Sequence, residues 1–404
     1  MTTASHENSV RHLPLHVGIG VMVGSVAGVL SFCFLRALDW ATRTRISHGR
    51  VIWLLPAAGL VIGVVYRTLG GRASKGNELL WTEVHDFSHG VPRRMAPLVF
   101  IGGVITHLFG GSGGREGAAL QMTASVSDGI AKMVRLNATH RRTVIVASFA
   151  GGFGAIFGVP MGGAVFALEA PFAGGMHIEL LVPSITASVV GDMIVRGMGY
   201  HHSVVAAIPH VHLTAVLIAK VCVAGLVFGF AARVFVKLTH IVKQVLGVVP
   251  FAPIRLMLGG FGVLLLVVMS GTRDYLGLSL PLIDRALSGE KLIFAICIWK
   301  LVFTAVTVGS GFPGGEVTPL FCIGATLGAT LAAPLGLSPL LASALGYVAV
   351  FGAAANTPVA LAVVGVEVFG VGAAPLFLIA CAVAYVVSPH TGIYTAQRPF
   401  PRKA

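Results

Sequence analysis

The sequence predicts an all-α polytopic membrane protein made of two related halves, with several helices broken or re-entrant. Composition is the first reason: 55% hydrophobic against 11% charged residues over 404 positions, with a mean hydropathy of +0.88, is too apolar for a soluble globular chain. Long runs with few charges are the second, near 17–35, 51–66, 96–110, 143–171, 178–195, 213–236, 255–270, 292–309, 317–355 and 358–388. Several exceed the roughly 20 residues that cross a bilayer once, and none alternates as a barrel strand would. An internal repeat is the third. Gly111-Ser112-Gly113 returns as Gly309-Ser310-Gly311, and Pro160 followed by Glu169 returns as Pro358 followed by Glu367, both at an offset of 198 residues. Two matches at one offset divide the chain into halves.

In order, residues 1–13 read as a polar cytoplasmic tail, 14–200 as the first membrane repeat, 201–212 as a linker, 213–394 as the second repeat and 395–404 as a short tail. The amino-terminal stretch lacks the short cleavable apolar core of a signal peptide, so it is expected to be retained. With 52 glycines and 20 prolines the apolar segments are too interrupted to be simple rods. The net charge of +13 lies in loops and at the ends, from Arg43 and Arg45 to Arg402 and Lys403. That is the pattern of contacts with lipid headgroups, and no nucleic-acid partner is expected. Cys33, Cys222, Cys297, Cys322 and Cys381 lie in apolar runs as small core residues, implying neither disulfide nor metal. His201, His202, His210 and His212 lack helical ligand spacing, which favours a polar linker over a metal site.

The chemistry gathers at Gly110–Leu120, GGSGGREGAAL. Glycines give way to good helix formers, so a helix is expected to begin near Glu116. Its first amides have no internal partner and carry the positive end of the helix dipole, which makes an anion site with Glu116 as a built-in anion. Gly315 opens the corresponding helix of the second half, and Pro160 and Pro358 each start another, with Asn356 and Thr357 as expected caps of the latter. If the halves pack as an inverted pair, four helix amino termini face one centre near the bilayer midplane. Glu169 and Glu367, at the far ends of the proline-started helices, are expected to bond loop amides or a basic residue. Asp192 and Lys220 are expected to be membrane-end residues.

These motifs resemble the CLC family of chloride channels and anion/proton antiporters over almost the whole chain. The resemblance rests on GREG at 114–117, GVPMGGAVFALE at 158–169, GSGFPGGEVTP at 309–319 and Tyr394 in TGIYTAQ. It implies two inverted repeats, a homodimer with one pore per subunit, and no cofactor or metal. It also assigns roles: Glu116 as protonatable gate, Tyr394 as a hydroxyl donor to the central anion, and Gly114, Arg115, Gly117, Val317 and Thr318 as the surrounding anion-binding residues.

Three departures from chloride-selective members are similar to the fluoride/proton antiporter branch. Ser74-Lys75-Gly76-Asn77-Glu78 stands where GSGIP is usual, Glu316 stands in GGEVTP where an apolar residue is usual, and Ala170 stands where proton-coupled members carry an inner glutamate. The resemblance therefore implies a secondary active fluoride/proton antiporter in a cell inner membrane, exporting fluoride, with fluoride, protons, lipid and a second copy as partners. Fluoride is small and strongly hydrated, so its site must supply short, strong donors; Asn77, Thr318, Tyr394 and backbone amides are of that kind. Glu316 is a second coupling carboxylate unless it turns away to pair with a base such as Lys300, which is otherwise expected to line an entrance. Arg115 is expected to orient the gate or balance its charge. A chloride channel or chloride/proton antiporter of the same fold is the alternative. An intramembrane serine protease is the remote one, since Gly110-Gly111-Ser112-Gly113 fits a nucleophile pattern that would need His107 or His177 as base.

Overall fold

The computed structural model describes residues 3–203, 205–388 and 392–399. The first half contains α1 (Thr3–Ser47), α2 (Leu55–Val65), α3 (Asn77–His85), α4 (Met95–Leu108), α5 (Glu116–Met133), α6 (Ala138–Phe157), α7 (Pro160–Glu169) and α8 (Leu181–Gly197). The second contains α9 (Ala215–Gly247), α10 (Ala252–Ser270), α11 (Leu280–Leu287), α12 (Ala295–Gly309), α13 (Val317–Leu335), α14 (Pro339–Ala355), α15 (Pro358–Phe369) and α16 (Ala374–Val387). The first helix already begins at Thr3, inside the stretch read as a tail. Residue 204 apart, the linker over 201–212 is without regular structure. A two-residue parallel ladder, β1 (Phe172–Ala173) with β2 (Arg398–Pro399), ties the carboxyl-terminal segment back to the end of α7. Arg402 and Lys403 lie outside the described residues.

Three of the long apolar runs each hold two helices, and glycine makes each break. The run over 143–171 turns at Gly158 (φ +73°) before Pro160, that over 317–355 at Gly336 (φ +56°) before Pro339, and that over 358–388 at Gly370 (φ +83°). A left-handed glycine ends one helix, and in the first two cases a proline in the first turn starts the next. Other glycines bring helices into backbone contact. A Cβ at Gly324 would lie 2.0 Å from the Gly346 carbonyl oxygen, and one at Gly328 2.1 Å from that of Ala342, so α13 and α14 pack backbone to backbone. Among the described residues Cys297, Cys322 and Cys381 are buried as expected, whereas Cys33 is exposed on α1.

The halves are joined by two reciprocal caps. Glu169, the last residue of α7, accepts from the amides of Val359 (3.1 Å) and Ala360 (2.7 Å) in the first turn of α15. Glu367, near the end of α15, accepts from Met161 (2.8 Å) and Gly162 (2.6 Å) in the first turn of α7. The two helices therefore run antiparallel, each closing the open amides of the other. This overturns two expectations. Asn356 and Thr357 do not cap α15: Asn356 has left-handed backbone at the end of α14 and donates to Gln397, and Thr357 makes no side-chain cap. The amino termini of α7 and α15 are filled by carboxylates of the opposite half and are not open to a shared anion centre. Asp192 is tied to Arg196 one turn on at 2.8 Å, and Lys220 reaches the carbonyl of Gly336 at 3.2 Å.

Removing either carboxylate leaves two helix amides short of an acceptor. Glu169→Ala is expected to cost about 2–3 kcal/mol, with Glu367→Ala costing less because Glu367 is only half-buried, while Glu169 is buried. Thermal unfolding in detergent measures both; an unshifted midpoint for Glu169→Ala would contradict the cap.

Candidate functional site

The glycine loops of the two halves meet in an antiparallel bridge. The Gly114 amide donates to Gly315 O at 2.5 Å, and the Gly315 amide donates to Gly114 O at 3.0 Å. Each loop feeds a helix, α5 from Glu116 and α13 from Val317, so the two amino termini face one another across the bridge. Glu116 turns its carboxylate onto the partner helix. Oε1 accepts from the Val317 amide at 2.7 Å; Oε2 accepts from the Arg115 amide at 2.9 Å and lies at the edge of bonding to the Thr318 amide (3.5 Å) and hydroxyl (3.4 Å). At 2% exposure the group is out of water, and among the described residues no cation forms an ion pair with it. Neutral donors alone hold the charge.

Beside this centre lies a cavity of about 640 Å³ bordered by Asn77, Gln121, Glu316, Tyr394 and Trp81, with Arg67, Lys75, Lys243 and Arg255 further along its wall. Glu116 is not among its lining residues. Asn77 is the first residue of α3, where backbone amides again lack internal partners. Its side-chain nitrogen lies 3.1 Å from the position a Cβ on Gly117 would take. Tyr394 is buried, its ring 4.9 Å from that of Trp81. The residues singled out in the sequence thus fall into two adjoining groups. Gly114, Arg115, Val317 and Thr318 surround the Glu116 carboxylate, while Asn77, Glu316 and Tyr394 face the cavity, with Gly117 between.

Other assignments change. Lys300 lines no entrance and does not pair with Glu316. It is fully buried and donates to Ser112 Oγ (3.0 Å), Tyr275 O (3.2 Å), Gly277 O (2.8 Å) and Ser279 Oγ (2.9 Å), locking the glycine loop before α5 to the segment before α11. Glu316 enters none of the ion pairs among the described residues. The Arg115 guanidinium lies 5.4 Å over the Phe157 ring, and only its backbone amide reaches Glu116. His107 is not the base that a nucleophilic Ser112 would need: it turns to Gly103 O and Gly113 O, while Ser112 is fully buried and shared between Lys300 and Thr304. Sequence reasoning missed Gln121, which stands one turn after Gly117 on α5 and donates to Asn77. It also missed the basic wall, to which the end of α9 contributes His240 and Lys243.

The model of a family described as voltage gated chloride channel matches residues 58–389. The chain belongs to that family. It is 41% identical over 391 residues to a chloride/fluoride channel protein of Pseudomonas syringae pv. tomato, a match covering 93% of this chain and 85% of the relative. Among solved structures it superposes on a CLC-type fluoride/proton antiporter with a TM-score of 0.93 at 33% identity, covering 96% of this chain and 98% of the other. A slow cyanobacterial Cl⁻/H⁺ antiporter shares the fold at a TM-score of 0.81 and 16% identity, over 95% and 96% of the two chains. The protein is therefore a multi-pass CLC membrane protein of the all-α, inverted-repeat class.

The bridge makes two glycines unequal. A Cβ at Gly315 would fall 1.7 Å from Glu116 Oε1, whereas one at Gly113 would meet only the ordinary contacts of Gly314 and Gly315 at 3.6 and 3.9 Å. Gly315→Ala is expected to displace the Glu116 carboxylate and change anion flux by at least about tenfold, one donor's worth at a charged group. Gly113→Ala should stay within about twofold of the parent. Flux from proteoliposomes separates them, and equal behaviour of the two would contradict the arrangement.

Proposed function

We propose that this chain is a fluoride/proton antiporter that exports fluoride across the cell inner membrane, with Glu116 as protonatable gate. The observation that carries the reading is the occupation of the Val317 and Thr318 donors by the Glu116 carboxylate. An anion and the ionised side chain cannot hold those donors together. Protonation weakens Glu116 as an acceptor and releases it; a departing anion leaves donors that favour the ionised form. One set of donors thus links proton uptake to anion occupancy, which is the requirement for exchange.

Fluoride is favoured over chloride by the donors available. The Asn77 amide, the Tyr394 and Thr318 hydroxyls and backbone amides suit an ion whose water must be replaced by short bonds. The Pseudomonas relative and the fluoride/proton antiporter bear on the same substrate through their names. Glu316 borders the cavity and among the described residues enters no ion pair, which supports a role as the second proton-carrying carboxylate in a chain with Ala170 at the end of α7. The halves we assign are 14–200 and 213–394, joined by 201–212. The functional unit is read as a homodimer in the lipid bilayer, with both termini cytoplasmic and with neither cofactor nor metal.

Liposomes holding the purified protein and loaded with fluoride or chloride test the proposal, with proton movement followed in the same vesicles. Fluoride efflux is expected to exceed chloride efflux and to drive protons inward. Glu116→Ala should abolish proton movement, and Glu316→Gln should reduce protons moved per anion by at least about tenfold, since one protonatable group is removed from a buried path. Fast anion flux without proton movement in the parent protein would leave a channel.

A further inference from the structure

A primary amide beside an anion has two unlike faces. Its N–H bonds attract the anion and its carbonyl oxygen repels it, while a half-turn about one side-chain torsion exchanges them. A selective site therefore needs something to hold Asn77 with the nitrogen forward. Gln121 occupies that position. Its Nε2 donates to Asn77 Oδ1 at 3.0 Å, taking up the repelling face, and among the described residues no acceptor engages Asn77 Nδ2. The nitrogen is left beside Gly117, at the junction of the carboxylate centre and the cavity that Asn77 and Gln121 both border.

The setting of Gln121 suits this task. It is 8% exposed on α5, one turn beyond Gly117. Its amide lies against Gly76, where a Cβ would be 3.8 Å from both Nε2 and Oε1 and the backbone has φ +56°. The reversed pairing, with Asn77 donating to Gln121, would turn Oδ1 towards the anion. With an anion bound only one direction is consistent, in which Gln121 donates to Asn77 and Asn77 donates to the anion. Donors in series polarise one another, so the terminal N–H is a stronger donor than that of a lone amide.

We propose that Gln121 is the positioning residue that fixes the Asn77 amide nitrogen-first towards the anion, and through it sets the preference for fluoride over chloride. The proposal rests on the fluoride reading above. Fluoride is affected more than chloride because the smaller, more strongly hydrated ion depends more on each short donor.

The test combines Gln121→Leu, Gln121→Glu, Asn77→Ala and the double variant Asn77→Ala/Gln121→Leu in liposomes, with sodium fluoride and sodium chloride as probes and fluoride binding followed by calorimetry. Gln121→Leu is expected to weaken fluoride binding roughly tenfold, the scale of one hydrogen bond to a charged group, and to lower the fluoride-to-chloride flux ratio. Gln121→Glu should lower both further, because an ionised carboxylate only accepts and would draw Nδ2 away from the anion. The double variant should match Asn77→Ala alone, since Gln121 acts through Asn77. Chloride flux in each variant reports an intact fold; where Gln121→Leu shows none, Gln121→Met is read in its place with the same expected ratio. A parental ratio in Gln121→Leu, or effects that add in the double variant, would overturn the proposal. A parent protein without fluoride preference would instead remove the fluoride reading. The non-additivity between the two positions would then be measured with chloride and would decide the positioning claim by itself.

Discussion

Glu116 and the backbone that holds it lie 201 residues apart in sequence, at Val317. A buried carboxylate is costly unless its oxygens are satisfied, and the first amides of a helix are unsatisfied unless something accepts from them. Each deficit removes the other. The arrangement works only if the halves are in register, which the Gly114–Gly315 bridge supplies, and any side chain at 315 would fall on the Glu116 carboxylate. The helices around the bridge hold two loops, from opposite halves, at hydrogen-bonding distance.

The same solution recurs where no exchange is needed. Glu169 and Glu367 also rest on amides of the opposite half, far from the bridge, as paired caps between α7 and α15. Other buried carboxylates have guanidinium partners, as Asp128 has Arg141 and Glu83 has Arg72. Among the described residues Glu116 has none. A full countercharge would hold the ionised side chain too firmly to let it leave, whereas amides and a hydroxyl stabilise it by an amount a competing anion can match.

Much of this was legible in the sequence because it is local. The helix start at Glu116, the proline starts at 160 and 358, and the glycine breaks between helices each follow from a few adjacent residues with strong backbone preferences. The 198-residue offset carried the larger organisation. What the sequence withheld was partnership across the halves. Glu169 and Pro358 are both conspicuous, but nothing local says that one closes the helix of the other, and so Asn356 and Thr357 stood as the nearer caps. Lys300 looked like an entrance cation or a partner for Glu316 because a lone intramembrane lysine needs oxygens. The oxygens it found are two hydroxyls and two backbone carbonyls, which carry no signature by residue type. Gln121 was hidden for the same reason: a glutamine one turn into a helix is ordinary until its neighbour is known.

On the proposed reading, capture and selection of the anion would be built from different materials. Arg67, Lys75, Lys243 and Arg255 border the cavity and raise the local anion concentration, but a point charge attracts fluoride and chloride alike and binds too firmly to pass an ion on. Nearer Glu116 the lining changes to Asn77 and Tyr394 beside the first turn of α3, with the Thr318 hydroxyl at the adjoining Glu116 carboxylate, groups whose attraction falls steeply with distance and direction. Small differences in ionic radius become differences in energy only with donors of that kind. Glu316 stands on the same wall, and ionised it would repel any anion beside it. On the proposed reading an anion at that end of the cavity would favour the protonated form of Glu316, as an anion on the α13 amides would displace ionised Glu116. The two carboxylates would then answer to the same ion from two sides, each taking up a proton more readily when an anion lies beside it.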